Sequence, residues 1–283
     1  MKPSSSDNPR QSLPSRRGNG TMTEPQGMSV AGGFKRLRAV YEYAVLYSAL
    51  LVFGVGGLIY TAVSPVLGAV LPRNRAHSVG QGVMMGLFRF FVGLLKLSRI
   101  VRCDLSELDR LRGERLIIVA NHPSLLDAVL MVSRLPKVVC IMKAQILDNP
   151  FLGGGARLAG YIRADHPMEM MKRARDALAA GRQLLVFPEG TRTNSPPLNS
   201  FKGNFALMAK QAGVPVQTAF IHSDSAYLCR GWPLFRKPSF PIHYRVHLGE
   251  RFPPDDDPGR LRARVEAYMR ARLEDRSQPG AGT

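Results

Sequence analysis

Thirty consecutive residues, Tyr43 to Pro72, carry no charged side chain, and few folds can accommodate such a run. Within it, Ala44 to Val63 as a helix would be about 30 Å long, the thickness of a bilayer hydrocarbon core. The stretch is a membrane-span candidate, with Gly54, Gly56 and Gly57 at its middle and Pro65 placed to kink or end it. Lys35, Arg36 and Arg38 flank one end and Arg73 and Arg75 the other, so flanking charge chooses no orientation. A second stretch, Val83 to Leu97, interleaves Met84, Phe88, Phe91 and Leu95 with Arg89 and Lys96. It reads as an amphipathic helix lying in the interface, its cations reaching toward headgroups. The competing reading makes both stretches core helices of a soluble protein.

Of the 283 residues 45% are hydrophobic, enough for a packed core in one domain of ordinary size with appendages. A net charge of +18 draws the chain toward something anionic: a membrane surface, nucleic acid, or an acidic substrate or carrier protein. Cys103, Cys140 and Cys229 are too widely spaced for a metal motif or a disulfide framework and suit a reducing compartment. Residues 1–33, rich in Ser, Pro, Gly, Asn and Arg, are expected to be a disordered basic tail, without the apolar core and cleavage site of a secretory signal. Residues 34–100 then hold the membrane-associated helices, 101–276 the main globular domain, and 277–283 a disordered tail.

Inside that domain, Leu116 to Ala120 is short, continuous, apolar and partly β-branched, which predicts a buried strand. Asn121-His122-Pro123-Ser124-Leu125-Leu126-Asp127 follows it. Pro123 suits the first position of a helix, and Ser124 to Ser133 has helical composition, so His122 falls on a strand-to-helix turn. Asp127, about one turn into the helix, is placed to hold one ring nitrogen and leave the other free to take a proton. The positive end of the helix favours an ionised carboxylate there. A base with no nucleophile beside it implies direct attack by a substrate hydroxyl; the plainer alternative makes His122 a helix cap and Asp127 an ordinary first-turn acid. A second block, Phe187-Pro188-Glu189-Gly190-Thr191-Arg192, follows the strand-like run Gln183 to Val186. Parallel strands would bring it to the edge that carries His122; by composition alone it is also a plain surface turn.

With both blocks in hand, the chain resembles the glycerolipid acyltransferases of the 1-acylglycerol-3-phosphate acyltransferase (lysophosphatidic acid acyltransferase) family, from about Leu116 to about Phe220. Their signature Asn-His-x4-Asp is matched by Asn121, His122 and Asp127, and Phe-Pro-Glu-Gly-Thr-Arg is matched at all six positions by Phe187 to Arg192, about 60 residues on. The resemblance implies that Glu189 and Arg192 position the acceptor, that Gly190 lets the backbone approach closely, and that Thr191 can exchange a hydrogen bond. It also implies a lysine beside the acceptor phosphate, here Lys143 after the strand Lys137 to Met142. Gly160-Tyr161-Ile162-Arg163 looks like the family's Gly-x-x-Phe-Ile-x-Arg block, one residue short before the arginine, which makes Arg163 the candidate for bidentate phosphate binding. Phe201-Lys202-Gly203 resembles a Phe-Lys-x-Gly element and brings in Lys202, and Val214-Pro215-Val216 resembles the fourth block, whose proline shapes a pocket. Members of the family often carry spanning or embedded helices ahead of the catalytic domain.

Other features read more plainly. Gly153-Gly154-Gly155 lacks both a preceding strand and a third fingerprint glycine, so it is taken as a flexible turn rather than a nucleotide loop. His166-Pro167 opens a helix closed by Gly181, Asn204 to Gly213 is a second helix, and Asp257-Pro258 starts a charged one running to about Arg276. Tyr244 to Leu248 alternates as an edge strand. His222, Asp224 and His243 fit no metal spacing and read as ordinary strand and loop polar residues.

The fold expected is α/β, a mostly parallel central sheet flanked by helices and preceded by an N-terminal membrane-associated helical segment. The activity expected moves a fatty acyl group from acyl-ACP or acyl-CoA to a lysophospholipid hydroxyl, with His122 as general base. Asn121, Lys143, Arg163, Glu189, Gly190, Thr191, Arg192 and Lys202 would bind substrate. No metal, cofactor, covalent acyl-enzyme or nucleic-acid partner is expected. The expected place is the bacterial inner membrane, with the catalytic domain on its cytoplasmic side. Alternatives are a non-phosphorylated or amine-bearing acceptor in a specialised lipid or pigment pathway, a hydrolase in which water replaces the alcohol, and a basic binding protein without catalysis.

Overall fold

The computed structural model describes residues 30–277, and their side chains from residue 33 to residue 275. Most of the two expected tails therefore lies outside the described residues. Contacts divide the chain into residues 1–39 and 40–283, and everything below concerns the second unit apart from the first turns of the first helix.

That helix, α1 (Val30–Val70), runs straight through the charge-free stretch with Pro65 inside it. Proline thus neither ends the helix nor separates it from the turn before α2 (Arg73–Leu97). Both are long and apolar enough to cross a membrane by length and composition. Most of α1 is open, with Leu51, Val55, Leu58, Ile59, Val63 and Val66 exposed, whereas α2 buries Met84, Phe91, Val92 and Leu95. Phe53 of α1 stacks on Phe88 and meets Phe91, and the Tyr60 hydroxyl donates to the Gly80 carbonyl at 2.9 Å.

The globular part opens with β1 (Val101–Asp104) and a 3-10 turn (Ser106–Leu111), neither expected from the sequence. Next come β2 (Ile117–Ala120), α3 (Leu126–Val132), β3 (Val138–Met142), α4 (Ala144–Leu147), α5 (Gly153–Leu158) and β4 (Ile162–Arg163). The chain continues through α6 (Pro167–Ala179), β5 (Gln183–Val186), α7 (Asn204–Ala212), β6 (Val216–Ser223), β7 (Ile242–Phe252) and α8 (Pro258–Ser277). One seven-stranded sheet has the order β1-β7-β6-β2-β5-β3-β4. Every pairing is parallel except β6 with β7. The central strands β2 and β5 are buried throughout, which is why they read as unbroken apolar runs rather than alternating ones.

Three expectations change. Strand β7 is not an edge: it has 11 residues and lies between β6 and β1, its alternation reflecting one buried and one open face. The actual edges, β1 with four residues and β4 with two, are short, as unprotected edges tend to be. Gly153-Gly154-Gly155 is no flexible turn but the buried first half of α5. A β-carbon on Gly154 would lie 2.7 Å from the Thr61 Cα of α1, one on Gly155 2.2 Å from the Tyr60 ring, and one on Gly80 2.6 Å from the Ala159 nitrogen. Only hydrogen fits at this seam, so these glycines let the two long apolar helices lie against the sheet domain. Lastly, α3 begins at Leu126, leaving Pro123 and Ser124 in the turn before it.

Candidate active site

Strand β2 gives out at Ala120, and the next residue fixes the direction of exit. The Asn121 amide donates from Nδ2 to the Ile221 carbonyl at 2.9 Å, and its Oδ1 accepts from the Ile221 N–H at 2.7 Å. One side chain thus extends the β2–β6 ladder past the end of the strand. Both ends of the amide are occupied and the residue is buried, which makes Asn121 a fastening of the turn rather than a surface for substrate.

His122 is then held on four sides. Its N–H donates to Glu189 Oε1 at 3.0 Å and its carbonyl accepts from the Thr193 N–H at 2.9 Å. The ring stacks on Phe187 at 4.1 Å between centroids, and Nδ1 meets Asp127 Oδ2 at 2.9 Å. An ionised carboxylate can only accept, so beside it Nδ1 carries the proton and Nε2 keeps its lone pair. Nε2 has no partner among the described residues, and the side chain keeps 17% exposure.

Asp127 is fully buried in the first turn of α3, where its Oδ2 also accepts the Ser124 N–H at 2.7 Å while Oδ1 has no partner. Burial pushes its carboxyl above the ordinary range, against the opposing pull of His122 and the Ser124 amide. The aspartate therefore orients the ring at some cost to its own ionised form.

The second block arrives from β5, the strand beside β2. Glu189 is buried, and its carboxylate is wholly engaged within the protein: Oε1 takes the His122 N–H and the Thr193 hydroxyl, the latter at 2.9 Å, and Oε2 takes the Asn199 N–H at 3.0 Å. Asn199 in turn accepts the amides of Asn194 and Ser195 and donates to the Arg192 carbonyl. Arg192 reaches across to the carbonyls of Leu228 and Cys229 at 2.8 and 2.9 Å. The first block grips the same turn, through Leu125 N–H to the Leu228 carbonyl and Ser124 Oγ to the Tyr227 carbonyl. Gly190 sits at φ +67°, and a β-carbon there would come within 2.9 Å of Lys202 Cε, so the close approach that glycine permits is that of Lys202. Thr191 is half-buried beside it.

Lys143 and Arg163 share this carboxyl edge but stand farther along it, Lys143 just after β3 and Arg163 at the end of β4 in register with Met142. At about 4.8 Å per strand they lie about 10 and 14 Å from the β2 exit in the hydrogen-bonding direction. Lys143 is exposed, whereas Arg163 is bidentate to Asp165 at 3.0 and 3.2 Å and donates to Asp148 at 3.1 Å. His243 pairs with Asp224 at 2.5 Å and His247 with Glu107 at 2.9 Å, lining with His222 an open cavity of about 620 Å³ on the outer face of β1, β7 and β6. Sequence reasoning missed Thr193, Asn199 and the turn Tyr227–Cys229. Asn199 lies in a Pro- and Ser-containing stretch, 194–200, and nothing local marked Thr193 or the turn.

Residues 102–222, which contain both blocks of this site, match the model of the family described as Acyltransferase. Over 243 residues the chain is 22% identical to the 1-acyl-sn-glycerol-3-phosphate acyltransferase of Pseudomonas aeruginosa, spanning 82% of this chain and 89% of that one. It is 37% identical over 107 residues to the lyso-ornithine lipid O-acyltransferase of the same organism, spanning 36% of this chain and 41% of that one. The crystal structure of the 1-acyl-sn-glycerophosphate acyltransferase PlsC from Thermotoga maritima superposes with a TM-score of 0.63 at 21% identity, over 87% of this chain and 99% of that one. The chain thus carries a domain matching the Acyltransferase family, and its similarity to 1-acyl-sn-glycerol-3-phosphate acyltransferases runs over most of its length. It is an acyltransferase, an enzyme that brings an acyl donor and a lipid acceptor together.

Proposed function

We propose that the enzyme transfers a fatty acyl group from a thioester, acyl-ACP or acyl-CoA, to the free hydroxyl of a lysophospholipid such as 1-acylglycerol-3-phosphate. The observation that carries this is the imidazole fixed through Nδ1, with Nε2 unpartnered and partly open at the sheet edge. Nε2 takes the hydroxyl proton as the oxygen attacks the thioester carbonyl carbon. The tetrahedral centre collapses with cleavage of the carbon–sulfur bond, and the imidazolium returns the proton to the departing thiolate. Asp127 keeps the tautomer and steadies the positive ring. Glu189, Asn121, Thr193, Asn199 and Arg192 position His122 and the loops around it rather than touching the reacting atoms. Lys143, Arg163 and Lys202 receive the acceptor phosphate, with Asp148 and Asp165 holding the Arg163 guanidinium until it arrives. The apolar helices keep the enzyme on the bacterial inner membrane, its sheet domain facing the cytoplasm.

Thiol release from acyl-ACP and acyl-CoA against a panel of lysolipids tests this. Native enzyme is expected to release thiol only with acceptor present, and His122→Ala to lose about 10²- to 10⁴-fold in rate. Equal rates in the two chains would remove His122 as the base, and thiol release without acceptor would make the enzyme a hydrolase. A second reading keeps the chemistry and changes the acceptor to a lyso-ornithine lipid. The pairing of Arg163 with two carboxylates favours it, since an ornithine headgroup offers an ammonium that Asp148 and Asp165 could take up. Turnover of lyso-ornithine lipid with none on 1-acylglycerol-3-phosphate would select it.

A further inference from the structure

From the turn that both site blocks grip, the chain continues as Arg230-Gly231-Trp232-Pro233-Leu234-Phe235-Arg236-Lys237, a loop to which neither block extends. It is a built loop. The Trp232 N–H closes a turn on the Cys229 carbonyl at 3.1 Å and the Arg236 N–H one on Pro233 at 3.0 Å, while the indole N–H donates to the Arg236 carbonyl at 3.0 Å. The Trp232 ring packs edge-on to Tyr227, and the Arg236 guanidinium lies 5.1 Å above it. This scaffold leaves Leu234 46% and Phe235 65% exposed at its tip, an adjacent apolar pair facing away from the core.

The far side of the loop rests on α1. Phe235 meets Tyr47 at 6.4 Å, and Lys237 pairs with Glu42 while lying 5.3 Å over Tyr43. Tyr41, Tyr43 and Tyr47 are exposed at the point where α1 passes from its basic start into the charge-free stretch, the position of an aromatic belt at a membrane surface. The Tyr41 hydroxyl donates to the Ser98 carbonyl just past α2, so the start of α1, the end of α2 and this loop share one level. Between Asp224 and Glu250 there is no acidic residue, while Arg230 and Arg236 flank the apolar tip along the chain. Apolar and aromatic groups flanked by arginines, level with an aromatic belt, fit a bilayer interface carrying anionic headgroups.

We infer that loop 230–237 is a second membrane anchor, which inserts Leu234 and Phe235 below the headgroups and seats the rim of the active site on the bilayer. The inference rests on the membrane reading given for α1, and its test reads insertion rather than turnover. Trp232 is the single tryptophan of the chain. The full-length enzyme is reconstituted into vesicles of phosphatidylcholine with or without phosphatidylglycerol, a fraction of the lipid being brominated near the headgroup. Bromolipid is expected to quench Trp232, more strongly with phosphatidylglycerol, and aqueous iodide to quench it poorly. In a Trp232→Phe, Phe235→Trp chain the relocated indole is expected to be quenched more. Phe235→Ser, at an open position, is expected to keep the melting temperature and the rate on a short-chain soluble acceptor while losing about 5- to 10-fold in kcat/KM on vesicle-borne lysolipid. Emission from both indole positions that responds to iodide and not to bromolipid would overturn the anchor, even in a fully active enzyme. Quenching in a chain without acyltransferase activity would leave the anchor standing and remove the catalytic reading instead.

Discussion

At Asp127 the demands of folding and of chemistry oppose one another. Its carboxyl is pushed up by burial, the largest influence on it, so its ionised form costs the folded state. A raised carboxyl helps folding most at pH below the ordinary carboxylate range, and that help is lost as pH rises through the folded-state value. Native enzyme and Asp127→Asn are therefore expected to melt alike in acid and to diverge toward neutrality, the variant being the more stable by about 2–4 °C for each kcal/mol relieved. The same variant should lose about 10²- to 10⁴-fold in thiol release, because an amide no longer enforces the Nδ1–H tautomer. Thermal melts across pH beside rates at neutral pH check both halves. Glu189 behaves in the opposite way. Its two oxygens accept three hydrogen bonds from the His122 and Asn199 amides and the Thr193 hydroxyl. In Glu189→Gln an NH2 group must face at least one of those donors, so stability is expected to fall by about 1–3 kcal/mol together with activity. A variant that melts like native enzyme yet is inactive would show instead that the carboxylate acts on substrate. The His122–Asp127 pair was legible because both members lie within one short turn. The struts were not: Asn121 finds its partner a hundred positions away at Ile221, and Glu189 reaches His122 only because β5 lies beside β2.

Among the elements, those bounded by their own local signals were found nearly to the residue. Strand β5 spans Gln183–Val186 as expected, and α7 ends where Gly213 adopts a left-handed conformation. Elements settled by distant partners were misread. Strand β1 is only four residues long and mixed in polarity, so nothing in it announced a strand, and without it β7 looked like the border of the sheet. The triple glycine of α5 has poor helix propensity and turn-like composition; its helix is dictated by the close approach of α1 and α2. Gly154→Val is accordingly expected to destabilise the enzyme by about 1–3 kcal/mol, since the added side chain meets the Thr61 backbone, which cannot move aside, as well as its methyl group. Thermal melting in detergent, with Gly86→Ala as a control at an open helical position, checks this; an unchanged midpoint would mean that α1 can pull away from α5 freely.

Over the whole molecule, composition told of attraction to anionic surfaces but not of where on the chain the attraction acts. Charge counted along a sequence cannot tell that Lys237 stands beside Tyr43 and Glu42, nearly two hundred positions earlier, because tertiary packing alone makes them neighbours. The glycine seam has one more consequence. With α5 pressed against α1 through hydrogen-sized gaps, the place of the sheet domain along α1 is set by rigid geometry instead of a pliant tether. On the proposed membrane reading such an arrangement would work as a depth gauge, selecting among acceptors of one headgroup by how far their hydroxyl protrudes from the leaflet. Lysolipid isomers bearing the same headgroup with the hydroxyl one carbon higher or lower should differ sharply in turnover, and Gly154→Val should flatten that difference.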